Sequence, residues 1–405
     1  MNPQPKSLIK NLRALPRPVW ILFAGTFLNK FGAFVIPFLA IYLRNRGFTD
    51  ADAGTALAAY GAGHFAASAL GGYLADRIGR RKTIAISMFS SAVAMLLLSQ
   101  ANSLFAIAAL TALTGLAAEL YRPASSALLT DLVPPGERIV AFAGYRWALN
   151  AGFAFGPATA GFLVKHSFAW LFIGDALTSL AFGVIAWFAL PHGVRASAEA
   201  SRWMEAWRVM RHDKQLRTLA LAQLAIALVF FQVFSTFGIH VTECGFSPST
   251  YGALISLNGV LIVAIELWLT SYTRQFSPTT TIAVGYALVG FGFAFNAFAQ
   301  TIPMLTLVIV IFTFGEMISM PIAAAYVTET VPAQMRGRYM GVYGIVWAIG
   351  LTLGPSMGLR LHARNPALLW SICGVLGLIA AALVIRTAAV RSAQEPRHRS
   401  AITGQ

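Results

Sequence analysis

Apolar residues run along the chain in long blocks that do not alternate with polar ones. Twelve blocks can be marked, at roughly 19–43, 51–74, 83–100, 104–129, 139–163, 168–190, 216–240, 250–272, 280–300, 303–328, 338–361 and 366–388. About 20 helical residues cross the ~30 Å hydrocarbon core of a bilayer. Lipid offers backbone N–H and C=O groups no partner, so each span is a helix or part of a closed barrel. Continuous apolar runs favour helices over barrel strands. The pattern predicts an all-α membrane protein with twelve transmembrane helices. A polar stretch at 191–215 divides it into a six-helix bundle over 1–190 and a second over 216–388, with a tail at 389–405. Within that linker, Trp203, Trp207 and Met210 sit at helical spacing opposite basic residues. This pattern suits either a surface-lying amphipathic helix or a plain tether.

The two bundles read as repeats. Thr83-Ile84-Ala85 returns as Thr281-Ile282-Ala283, Pro123 as Pro321, Val133-Pro134 as Val331-Pro332 and Arg138 as Arg336. Tyr145 returns as Tyr343, Gly152 as Gly350 and Gly156-Pro157 as Gly354-Pro355, always 198 positions on. Six spans per repeat give both copies the same topology, which predicts a pseudo-two-fold axis along the membrane normal.

Composition agrees with lipid as the solvent: 57% of the 405 residues are hydrophobic and 11% charged. The net charge of +15 suggests cytoplasmic loops rather than nucleic acid. With the N-terminus inside, 22 of the 30 Lys and Arg fall on inside tails and loops and five on outside loops. The positive-inside rule therefore puts both termini in the cytoplasm. The first apolar block is too long for a signal-peptide core and is read as a retained span. Cys244 and Cys373 have neither disulfide nor metal spacing. No phosphate-binding loop, nucleophile arrangement or metal cluster is evident, so neither an enzyme nor an ATP-driven pump is expected, and no cofactor.

The densest charge lies in Gly72-Tyr73-Leu74-Ala75-Asp76-Arg77-Ile78-Gly79-Arg80-Arg81-Lys82, between the second and third spans. It matches the pattern G-x-L-A-D-R-x-G-R-R/K. With twelve spans in parallel six-span repeats, the chain resembles the major facilitator superfamily over nearly its whole length, most of all its twelve-span drug:proton antiporter branch. The resemblance implies that Asp76 caps span 11 in one state and that Arg80 pairs with the acid ending span 4, here Asp131. Gly79 permits the tight turn. Arg77, Arg81 and Lys82 also serve simply as inside-orienting charges. The matching stretch of the second half, 270–278, keeps Arg274 and has no acid, so the switch is expected to be one-sided.

Span 5 carries Gly144, Ala148, Gly152, Gly156 and Ala160 four apart, a spacing that lets helix backbones approach closely. Its Gly152, Gly156, Pro157 and Gly161 resemble the span-5 motif of antiporters in the superfamily, and Gly350, Gly354 and Pro355 echo it in span 11. One departure stands out. Thr111 occupies the place where drug:proton antiporters carry an arginine in span 4, so a mechanism built on that arginine does not transfer.

Charges inside a membrane are costly and usually functional. Lys30, Glu119, Arg122, Arg146 and Glu316 are the proton or substrate candidates. By resemblance, spans 1, 4, 7 and 10 line the central cavity, and four of these five lie on them. Glu119 and Arg122 also suit a local i,i+3 pair, and Arg146 a snorkelling interfacial arginine. His64, which the sequence leaves without a named partner, is read as a packing residue. Phe27, Phe31, Phe34, Phe38, Phe230, Phe231, Phe234 and Phe237 face either lipid or a greasy cavity.

The reading that follows is a secondary transporter in the plasma membrane (bacterial inner membrane). It is expected to act as a monomer, exporting a small amphipathic or drug-like molecule against protons. An importer or uniporter of an anionic or zwitterionic metabolite is the alternative, and a transporter-like sensor a remote one.

Overall fold

The computed structural model describes residues 12–193, 213–273, 275–329 and 336–402. The expected amphipathic helix over Ser201–Arg211 and the repeated Val331-Pro332 lie outside the described residues. The described residues are almost wholly helical, without a strand. In chain order the helices are α1 (Arg17–Phe31), α2 (Val35–Asn45), α3 (Asp50–Ile78), α4 (Arg80–Gln100), α5 (Leu104–Glu119), α6 (Tyr121–Leu132), α7 (Arg138–Val164) and α8 (Ala169–Ala189). They continue with α9 (Lys214–Phe230), α10 (Thr236–Glu243), α11 (Pro248–Thr273), α12 (Pro278–Ala294), α13 (Ile302–Glu329), α14 (Arg336–Arg364) and α15 (Pro366–Ile402).

Short polar side chains start several of them. The Asp52 N–H donates to Thr49 Oγ1 while the Thr49 N–H donates to Asp52 Oδ2, a reciprocal cap on α3. Ser103, Asp213 and Ser277 cap α5, α9 and α12 in the simpler way.

Ten helices among the described residues are long and apolar enough to cross a membrane, α1–α2 and α5–α6 each counting as one. The sequence pattern predicts twelve. The two that differ, α3 and α7, are 29 and 27 residues long. They are rich in glycine and alanine and carry His64 and Arg146, which lowers their hydropathy below that of the leucine-rich spans.

Three expected spans are interrupted. Span 1 breaks at Gly32–Phe34, span 4 at Leu120, and span 7 at a short 3-10 turn over Phe231–Phe234. Proline explains two of these breaks. Pro37 and Pro123 lack the N–H that the carbonyls of Ala33 and Glu119 need four residues earlier. Side chains take up what the breaks release. Ser87 of α4 donates to Ala117 O and accepts from the Tyr121 N–H, bridging the span-4 break. Asp175 of α8 is buried beside the Phe34 and Val35 N–H groups at the start of α2.

The chain forms two compact units, residues 1–201 with 237–263, and 202–236 with 264–405. The twelve-span reading assigns 237–263 to the second bundle, yet these residues group with the first. Within that unit Tyr251 donates to Pro37 O at 3.1 Å, and the Ala158 N–H donates to Ser256 Oγ at 2.8 Å. The core of the first unit gathers Val19, Leu22, Met88, Tyr121, Leu128 and Phe182, all fully buried. In the second, Leu216, Val327, Tyr339, Val342 and Val346 pack together.

Candidate functional site

The site of the first unit is built around Glu119, the last residue of α5. Its side chain is 6% exposed. Lys30 Nζ donates to Glu119 Oε1 at 3.0 Å, Arg122 Nη1 lies 3.3 Å from Oε2, and His64 Nε2 lies 3.6 Å from Oε2. Four elements supply these groups. Lys30 comes from the last turn of α1, His64 from the middle of α3, Glu119 from the end of α5 and Arg122 from the start of α6. The Lys30 ammonium also stands over the Tyr121 ring, 5.7 Å from its centre. The i,i+3 pair expected of Glu119 and Arg122 is present, within a larger constellation. A carboxylate shielded from water is costly without such partners.

The span-5 motif and this cluster meet in the structure. A Cβ on Gly152 would lie 2.6 Å from Phe27 O and 3.0 Å from Lys30 Cβ, and one on Gly156 2.6 Å from Phe31 O. The stripe on α7 thus seats the last turn of α1, the turn that aims Lys30 at Glu119. Further along α7, Pro157 and Gly161 pack against Ser249 and Gly252 of α11. In the second unit Gly350 and Gly354 of α14 approach Ala227 and Leu228 of α9 in the same manner, and Pro355 follows them.

The charged loop is ordered by Arg80, whose side chain is 7% exposed. Its guanidinium donates to Asp76 Oδ1 at 2.7 Å and to Ala75 O at 2.9 Å, and its Nε lies 3.4 Å from Asp131 Oδ2. Gly79 has φ +97°, a conformation that favours glycine, and Gly72 stands in open space at the last turns of α3. Arg77 stays on its own helix against Tyr73. Arg81 reaches His192 Nε2 at 2.7 Å and covers the Trp187 ring. A Cβ on Gly193 would sit 3.2 Å from Asp131 Oδ2. The loop therefore also grips the end of span 6, where the linker begins.

Arg146 is exposed on α7, and Glu316 is half-buried on α13 of the second unit. That unit holds an aromatic cluster. Phe230 lies 5.2 Å from Trp347 and 5.5 Å from Phe312, and Phe231 lies 5.7 Å from Trp347.

The family model described as Major Facilitator Superfamily matches residues 22–355 and 289–403. The chain belongs to the Major Facilitator Superfamily. It is a multi-pass membrane transporter of that type. It is 28% identical to an uncharacterized MFS-type transporter of Bacillus subtilis over 349 residues, 84% of this chain and 85% of the relative. It is 24% identical to the Na(+), Li(+), K(+)/H(+) antiporter of Planococcus maritimus, across 81% and 85% of the two chains. It is 25% identical to the quinolone resistance protein NorA of Staphylococcus aureus, across 66% and 70%. The solved structure of nucleoside transporter NupG (D323A mutant) shares the fold at a TM-score of 0.79, with 14% identity, covering 92% of this chain and 99% of that one.

Two members of this site were not evident from sequence order. His64 joins the Glu119 cluster, and Ser87 bridges the break beside it. The available signal for the break was Pro123, four residues after Glu119. Nothing in sequence order links His64, 55 positions earlier, to that acid.

Proposed function

We propose that this transporter exports a small amphipathic or drug-like molecule in exchange for protons. The halves 1–190 and 216–388 rock about a midplane site, and both termini face the cytoplasm. The observation that carries this reading is the Glu119 carboxylate, buried and held by Lys30, Arg122 and His64. A carboxylate beside cations keeps its charge, and one deprived of them in a dry site takes up a proton. Lys30 is two residues before the break in span 1. A bend at Gly32–Phe34 moves its ammonium away from Glu119 while α2 stays in place. A proton then replaces Lys30 on the acid, and the return of Lys30 displaces it. Glu316 is the second candidate carrier. Arg80, with Asp76 and Asp131, is the switch that holds one state. The antiporter and the quinolone resistance protein among its relatives support exchange and efflux.

Purified protein in proteoliposomes under an imposed pH gradient tests the reading. Glu119→Gln, Glu316→Gln and the double variant are expected to lose gradient-driven flux singly or together. Full coupling in the double variant would sink the proposal. A second reading, uptake of an anionic or zwitterionic metabolite, is favoured by Arg122, whose side chain is 46% exposed beside the cluster. The direction of flux against the gradient separates the two. A sensor would bind ligand without moving it.

A further inference from the structure

The second unit contains a cavity of about 360 Å³ between α9, α14 and α15. Its walls are apolar, with Leu228, Met357, Leu361, Ile372 and Leu376 among them. Gln232 places the one uncharged polar side chain in the lining apart from the Cys373 thiol, and its hydrogen bonds are spoken for. Its Nε2 donates to Leu228 O at 2.8 Å and Gly354 O at 2.9 Å, and its Oε1 accepts from Thr236 at 2.6 Å. The interior therefore suits a hydrocarbon occupant. Charge enters only through Arg360 and Arg364, which lie one turn apart near the end of α14 and are both exposed. The next helix, α15, starts at Pro366. Its first turn is capped by Asn365, whose Oδ1 accepts from the Leu368 N–H at 3.0 Å, and the start of the helix adds the positive end of its dipole to that region. One end of the cavity thus favours an anion, and the rest favours an apolar chain. At this volume the cavity holds a small ligand or a single chain rather than a folded partner.

We infer that this cavity binds one anionic phospholipid, with the phosphate at Arg360 and Arg364 and an acyl chain along Leu361, Ile372 and Leu376. The site is separate from the proton-handling cluster and stands whether or not that reading holds. Native mass spectrometry of the purified full chain tests it, with phosphatidylglycerol and phosphatidylcholine of identical acyl chains titrated in turn. Wild type is expected to retain one phosphatidylglycerol well above the phosphatidylcholine background. An arginine beside an anionic surface contributes enough that Arg360→Gln/Arg364→Gln should bind phosphatidylglycerol about 30-fold more weakly. Ile372→Trp fills the cavity and keeps both charges, so it should lose both lipids. Leu376→Phe is the milder filling variant should Ile372→Trp fail to fold. Equal retention of the two lipids by wild type overturns the inference. So does unchanged phosphatidylglycerol binding in the double arginine variant, or in a folded filling variant.

Discussion

Positions 198 apart correspond in the two halves of the sequence, yet the two units fill them with different chemistry. Where the first has Lys30, His64, Glu119 and Arg122, the second has Leu228, Ile262, Met317 and Met320. The first unit closes its interior around ion pairs of 3.0 and 3.3 Å. The second closes around Phe230, Phe231, Phe312 and Trp347. The connecting loops repeat the contrast. Arg80 is held by Asp76 and Asp131 in one, while in the other Tyr272 stacks on Trp268 and meets Phe276 edge to face. Around these matched positions the first unit gathers charge, while the second gathers aromatic rings, with Glu316 beside them as its own acid.

The division is broken most severely by Glu119→Gln. Flux with and without a pH gradient should become equal in proteoliposomes. The variant should also lose about 3 kcal/mol of stability, because Lys30 and Arg122 are left without their buried counter-charge. Thermal unfolding should recover part of that loss in Lys30→Met/Glu119→Gln, since both charges of the closest pair are then gone. A single variant as stable as wild type would show that the cluster is solvated in the membrane. On the other side, Trp347→Ala removes the ring contacts with Phe230, Phe231 and Tyr343, about 0.5–1.5 kcal/mol each, and loosens that aromatic surface, so KM for an amphipathic substrate should rise roughly tenfold. The ratio of flux with and without the gradient should not change. A collapse of that ratio would mean that the second unit carries coupling as well.

The helical membrane fold was legible because apolar blocks of span length admit little else. The loop at 72–82 was legible because several residue types stand at fixed spacing. What escaped was the meeting of distant positions. Gly152 and Lys30 were separate observations in the sequence, one a packing stripe and one a stray cation. The structure makes them one device, since only a glycine at 152 lets the turn bearing Lys30 come so close. The breaks in spans 1 and 4 were signalled by Pro37 and Pro123, but hydropathy averages over such residues. The break at Phe231–Phe234 has no proline at all, and Gln232 and Ser235 are weak cues against a strongly apolar background.

The loop contrast is sharpened by Arg80. Arg80→Gln should slow transport roughly tenfold, because charge-assisted contacts to Asp76 and Asp131 are lost together with the bond to Ala75 O. Arg80→Lys should recover only a fraction, since an ammonium cannot address three oxygens in the fixed fork of a guanidinium. The same changes at exposed Arg77 should leave initial rates within about twofold, as its neighbour is Tyr73 on its own helix. Equal sensitivity at the two arginines would reduce the loop to an orienting charge patch.

Within the charged cluster the smallest effect is expected at His64, and it tests whether that cluster is a pair or a network. His64 is the most distant of the three partners, 3.6 Å from Glu119 Oε2, with Lys30 and Arg122 also facing it. Its imidazole is the one group there whose ordinary titration falls between about pH 5 and 8. His64→Asn keeps a polar side chain of smaller size and removes that titration. Maximal flux should change less than about threefold, as for one modest hydrogen bond. The pH profile should carry the difference, with wild-type rates showing a histidine-dependent inflection that the variant lacks. If both profiles coincide, Glu119 answers to its two cations alone. If flux instead falls as far as in Glu119→Gln, His64 lies on the proton path rather than beside it.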